Sequence, residues 1–193
     1  ELRFGEASSY GIEFLIEKET GKLTGSLCYS FSKTTKQFPE IYQNESFPAF
    51  YDRPHELSSF LSYLAGKRWT LAAMWTLTSG AAYTTPSSFF YYQGHSVPIY
   101  TEKNNDRLPP YHRLDVSIGL NMSKIGGKFK HDLSVSVYNL YGRHNPIAVN
   151  FNKIENPNET LLVPGNYYEL PVLIPSQLYF YNFVPSLNYN FRF

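Results

Sequence analysis

Along most of this chain apolar and polar positions alternate with a period of two, the signature of strands with two unlike faces. The pattern is cleanest at the last stretch. There Phe183, Pro185, Leu187, Tyr189, Phe191 and Phe193 alternate with Ser186, Asn188, Asn190 and Arg192. The same period predicts a first strand from about Ser9 to Lys18, with Tyr10, Ile12, Phe14 and Ile16 on one face and only Leu15 breaking the order. A second runs from Lys22 to Lys33, with Leu23, Gly25, Leu27, Tyr29 and Phe31 against Thr24, Ser26, Cys28, Ser30 and Ser32. Further strands carry Leu57 to Tyr63, Trp69 to Thr78, Leu114 to Leu120 and Leu133 to Val137. The fold class is therefore all-β, an antiparallel meander of about seven strands. Ten residues at ~3.3 Å each, tilted by ~40°, rise about 25 Å, the height of an outer-membrane apolar band.

The connections sort by length. Glu19-Thr20-Gly21-Lys22, Ala65-Gly66-Lys67-Arg68 and Ser123 to Lys128 are short, whereas Thr34 to Arg53, Gly80 to Pro110 and Gly142 to about Gln177 are long, polar and aromatic. Prolines 146, 157, 164, 171 and 175 predict that any strand inside the third long connection is short. Transmembrane barrels place short turns on the periplasmic side and long loops outside. A β-sandwich has no reason to sort its loops this way. The rule predicts Gly21, Gly66 and Gly126 at one end, with Phe90, Asn105 and Pro157 at the other. It also predicts a periplasmic C-terminus and a first strand that starts outside. An odd count in a class built on even numbers leads us to expect earlier strands before residue 1, and an open sheet with two free edge strands.

Composition limits the alternatives. The chain has 193 residues, 42% hydrophobic and 18% aromatic, with mean hydropathy −0.34 and a net charge of +1. Near neutrality argues against a nucleic-acid partner held by charge. No run approaches the ~18 apolar residues of a spanning helix, and the lone Cys28 excludes an intrachain disulfide. The runner-up to a membrane barrel is a soluble secreted β-sandwich or adhesive domain.

Five stretches, Tyr10 to Phe14, Tyr51-Asp52-Arg53-Pro54-His55-Glu56-Leu57, Arg107-Leu108-Pro109-Pro110-Tyr111-His112-Arg113-Leu114-Asp115, Tyr138 to Pro146 and Pro185 to Phe193, occur in one order across nearly the whole chain. In that order the chain resembles the C-terminal part of TonB-dependent outer-membrane receptors, particularly those of Bacteroidetes. The resemblance implies that residues 1–193 are one segment of a 22-stranded barrel whose plug domain, TonB box and earlier strands lie elsewhere. It implies TonB-coupled nutrient uptake, location in the bacterial outer membrane, and lipid, TonB and the barrel-assembly machinery as partners, with a surface lipoprotein as a further one. Phe193 matches the terminal aromatic signal read by that machinery.

Candidate chemistry is sparse. No Ser/His/Asp set, phosphate loop or HExxH segment is legible, so no catalytic residue is assigned. His55, His95, His112, His131 and His144 are scattered, so no metal ligand set and no cofactor is expected. The run Phe89-Phe90-Tyr91-Tyr92 is a candidate for stacking on a sugar, siderophore or peptide, set against the plainer reading of a packed loop core. With Leu114 toward lipid, Arg113 and Asp115 point into the lumen, as ligand contacts or, by preference, as part of an ion-pair ladder holding adjacent strands or the plug. Asp52-Arg53 reads the same way. Tyr29, Phe31, Tyr63, Trp69, Tyr189 and Phe191 near strand ends are expected to form the membrane's aromatic girdles.

Overall fold

The computed structural model describes residues 2–92, 95–124, 128–153 and 173–193. Its strands are β1 (Glu6–Lys18), β2 (Leu23–Gln37), β3 (Phe47–Pro48), β4 (His55–Ala65), β5 (Trp69–Thr78), β6 (Ala82–Tyr83), β7 (Ser88–Tyr92), β8 (His95–Ile99), β9 (Asp106–Arg107), β10 (Tyr111–Asn121), β11 (Lys130–Tyr138), β12 (Pro146–Lys153), β13 (Leu173–Tyr179) and β14 (Val184–Arg192). Seven of them run side by side in one antiparallel sheet in the order β1-β2-β4-β5-β10-β11-β14, to which the two-residue β3 adds an eighth strand by pairing with the end of β2. This is the expected meander, open at β1 and β14. No helix among the described residues is long and apolar enough to cross a membrane.

Register turns seven alternating strands into one two-faced wall. In antiparallel pairs, directly opposed residues share a face. One row runs Phe14, Tyr29, Leu57, Leu77, His112, and a parallel one Leu23, Tyr63, Leu71, Ile118, Val135, Leu187. The opposite face carries rows such as Glu17, Ser26, Phe60, Met74, Asp115. A one-residue slip at any ladder would move a whole strand's apolar set to the polar side. The apolar face is uncovered: Leu61 is 53% exposed and Leu187 70% exposed. Among the described residues no second sheet packs on it: the wall is a single layer and not a sandwich.

The register also sorts the ends. Lys18, Leu23, Tyr63, Trp69, Leu120 and Arg192 lie at one end, where Gly21 (φ 100°) and Gly66 (φ 77°) make the tight turns that only glycine adopts without strain. The connections carrying Phe90 and Asn105 leave from the other. Gly126 and Pro157 lie outside the described residues.

Two expectations are corrected. β1 and β2 extend past the predicted bounds, Glu6 pairing with Gln37 and Ser9 with Thr34. Beyond the apolar band both faces meet water, so alternation vanishes while the ladder continues. The long connections also hold strands of their own: β7 pairs with β8, β6 with β9, and β12 with β13 over eight and seven residues. Prolines do not prevent this, because a two-stranded ribbon has free edges where a missing N–H breaks no ladder bond.

The buried residues gather at the long-connection end. They are Phe47, Ala49, Ala82 and Leu108, with Asp52, Thr78, Asn104, Asn139 and Asn145. A single-layer sheet buries little, so the loops must fold on one another to exclude water.

Candidate functional site

Four of the buried polar residues at this end, Asp52, Asn104, Asn139 and Asn145, hold backbone groups of the strand ends and long connections through their side chains. Asp52, 3% exposed, accepts from the Thr34 N–H at 2.6 Å through one carboxylate oxygen and pairs with the Arg107 guanidinium through the other. Arg107 Nη1 also donates to the carbonyls of Asp52 at 2.8 Å and Gly80 at 3.2 Å. One side chain thus joins the connection after β2 to both ends of the connection after β5. Asn104 (φ 53°) adds a second tie, donating from its amide to the Pro48 carbonyl at 2.6 Å. Tyr83 donates to Asp106 Oδ2 at 3.0 Å; burial, and then the Asp106 carboxylate, hold its phenol above the ordinary tyrosine pKa.

A second cluster sits where β10 meets β11, on the polar face. Arg113 Nε donates to Asp115 Oδ2 at 2.9 Å, and Nη1 to the hydroxyls of Tyr111 at 2.8 Å and Tyr138 at 2.7 Å. The guanidinium carbon lies 4.1 Å from the centre of the Tyr138 ring. The other Asp115 oxygen accepts from the Asn139 N–H at 2.8 Å. Asn139 (φ 53°, 1% exposed) exchanges side-chain bonds with the Arg143 backbone, and the Asn145 amide bonds both backbone groups of His112 at 3.0 and 2.9 Å, as a neighbouring strand would. The predicted ladder between strands is corrected here. Arg113 and Asp115 are two apart on one strand, where side chains share a face, and the links across to β11 come from Tyr138 and Asn139. Asp52 likewise pairs with Arg107, not within an Asp52-Arg53 ladder.

The aromatic run lies on β7, with main-chain partners running from Phe89–Pro98 to Tyr91–Ser96 and Tyr92–His95. Phe89, Phe90 and Tyr92 are 43%, 48% and 60% exposed, so the packed-core reading is overturned. Neighbouring strand residues point to opposite faces, so Phe90 and Tyr92 share one side and Phe89 takes the other.

Tyr29 and Phe31 lie on the apolar face toward the long connections, and Tyr63, Trp69, Tyr189 and Phe191 on the same face toward the short turns. Phe191 stacks on Phe129 and meets Phe193. Three histidines lie on this face at its two margins, each beside a tyrosine hydroxyl: His55 Nδ1 and Tyr29 at 2.9 Å, His112 Nδ1 and Tyr141 at 2.7 Å, His131 Nδ1 and Tyr189 at 3.0 Å. Among the described residues no three His, Cys, Asp or Glu side chains converge as metal ligands. Asn104, Asn139, Asn145 and Arg107 escaped sequence reasoning. The opposite charges in the motifs around Asp52 and Arg107 were the one available signal.

A single-layer antiparallel wall, apolar on one side and polar on the other, with tight turns at one end and folded loops at the other, is the segment of a transmembrane β-barrel. A sequence model described as TonB dependent receptor-like, beta-barrel, matches residues 2–140. The chain belongs to that family, whose members are receptors and transporters of the outer membrane. Comparisons with curated proteins and with solved structures find no match.

Proposed function

We propose that these residues are the C-terminal seven-strand wall of a receptor that takes up a nutrient through TonB, which it meets through a plug and TonB box outside this chain. The observation that carries the barrel half of this reading is the register, which puts all seven apolar faces on one side and leaves β1 and β14 as edges for further strands. Family membership supports the TonB-coupled half of the reading. The long connections face the medium and the short turns and C-terminus face the periplasm. The six aromatics at the two margins are the headgroup girdles, because a ring with a polar tip is stable where apolar and wet layers meet. Phe193 is the assembly signal. The run Phe89-Phe90-Tyr91-Tyr92, with the rings of Phe89, Phe90 and Tyr92 exposed, meets the incoming ligand or a surface lipoprotein. Arg113 and Asp115 lie deeper on the polar face, where they position Tyr111 and Tyr138 toward the passing ligand.

Orientation is tested by single cysteines at Lys103 and Lys67 in a Cys28→Ser background of the intact receptor, probed in whole cells with a membrane-impermeant maleimide. Position 103 should label directly, and position 67 only after the outer membrane is permeabilised. The reverse order would invert the topology.

A further inference from the structure

Where the connection after β2 meets the connection after β5, the folded loops enclose a cleft of about 280 Å³. Tyr42, Gln43, Glu45 and Phe47 line it from one side, Glu102 and Lys103 from the other. Both walls are tied in place. Tyr42, Gln43 and Asn44 are left-handed in succession (φ 53°, 54° and 65°), a backbone that residues with side chains adopt only where their surroundings hold it. The Glu45 N–H donates to the Tyr42 carbonyl at 2.9 Å, and Gln37 Nε2 donates to the Asn44 carbonyl at 2.7 Å. The facing wall is pinned by Asn104, next to Lys103, through its bond to the Pro48 carbonyl. Walls fixed in this way leave little ordering to be done when a ligand enters.

The cleft presents charge of both signs. Among the described residues neither Glu45 nor Glu102 has an ion-pair partner, although Lys103 lines the same space. The Lys103 ammonium lies instead 5.3 Å from the centre of the Phe47 ring. That ring is 6% exposed, with Phe38 stacked on it at 6.1 Å and Tyr42 set edgewise against it at 5.8 Å, so it has no free face for a sugar to stack on. We infer that the cleft binds the zwitterionic main chain of a short peptide, its ammonium taken by the Glu45 and Glu102 carboxylates, its carboxylate by the Lys103 ammonium and its amide by Gln43. A ligand carrying both charges within one short span complements unpaired groups of both signs, which a neutral sugar or a simple cation does not. A cavity of ~150 Å³ accepts a benzene, so 280 Å³ has room for a dipeptide. The inference names the nutrient class for the uptake proposed above and rests on that reading's orientation, which opens the cleft to the medium.

The test is isothermal titration calorimetry of the intact, detergent-solubilised receptor with alanyl-alanine, its N-acetyl derivative, its C-terminal amide and maltose. Only folded, heat-modifiable material is compared. Alanyl-alanine should bind, and acetylation or amidation should each weaken it about tenfold, the weight of one charge-assisted hydrogen bond in a site open to water. Glu45→Gln combined with Glu102→Gln should remove the penalty on acetylation and keep that on amidation. Lys103→Gln should do the converse. If a variant does not fold, the capped dipeptides on the unaltered receptor decide. No binding of alanyl-alanine, equal affinity for the capped forms, or preference for maltose overturns the peptide assignment; glutamate and lysine variants that act alike overturn the placement in this cleft. Cysteine labelling reads orientation, and uptake in cells with and without TonB reads coupling, both independently of dipeptide binding, so the two failures are distinguishable.

Discussion

Asp52 and Arg107, 55 residues apart in sequence, form an ion pair that fastens two long connections above the rim of the sheet. Asp52 is almost fully buried while the Arg107 side chain is 35% exposed. Removing the guanidinium strands a desolvated carboxylate and frees the carbonyls of Asp52 and Gly80. Losing one member of a buried pair costs about 3–5 kcal/mol, and solvent access at Arg107 puts Arg107→Ala near the lower figure. The cost falls on the loops, because no strand ladder passes through either residue's side chain. We expect heat-modifiability of the barrel to survive, with faster proteolysis between residues 38 and 54 and between 80 and 110. Unchanged cleavage kinetics would show that the pair does not hold the loops.

The two faces of β2 give a second prediction. Leu27 sits between Ile16 and Ser59 on the apolar side, and Ser26 between Glu17 and Phe60 on the polar side. Leu27→Arg should destabilise the intact receptor by about 2–4 kcal/mol, the cost of a cation near the bilayer midplane. Ser26→Arg should cost far less, with Glu17 beside it. Urea unfolding in lipid vesicles measures both, and spin labels at the same positions report the faces. High oxygen access at 27 with high aqueous-relaxer access at 26 is expected; the inverse would reject the assignment.

Asn139 combines a left-handed backbone with side-chain bonds to Arg143. Both Asn139→Gly and Asn139→Ala lose those bonds, but only alanine adds the left-handed penalty of about 1 kcal/mol. Glycine should therefore be the milder change by that margin. Equal stabilities in matched unfolding curves would mean the turn relaxes.

Gly80 faces the opposite problem. A Cβ there would run into the Leu108 carbonyl, with backbone rather than a flexible side chain in the way. Gly80→Ala should separate β6 from β9 and cut the yield of heat-modifiable receptor more than Gly119→Ala, where the backbone needs no left-handed conformation and the nearest atom lies 3.8 Å away. Similar yields would show that the loop absorbs the methyl group.

The alternation of residues was enough to establish the seven strands of the wall, their faces and the turns at Gly21 and Gly66, because each strand's side chains must suit two different solvents and the period of two records that locally. It also placed Arg113 and Asp115 on one face, since that needs only their separation of two. It could not show that Asp52 reaches Arg107 or that Asn145 stands in for a strand beside His112. Nor did it place His55, His112 and His131 on the apolar face, where polar residues break the pattern and a tyrosine hydroxyl lies within hydrogen-bond distance of each. Those facts depend on register between strands and on loops folding over loops, where the partner is tens of residues away and no local period marks it. Tertiary structure decided them because a buried polar group must find its partner wherever the fold brings one within reach.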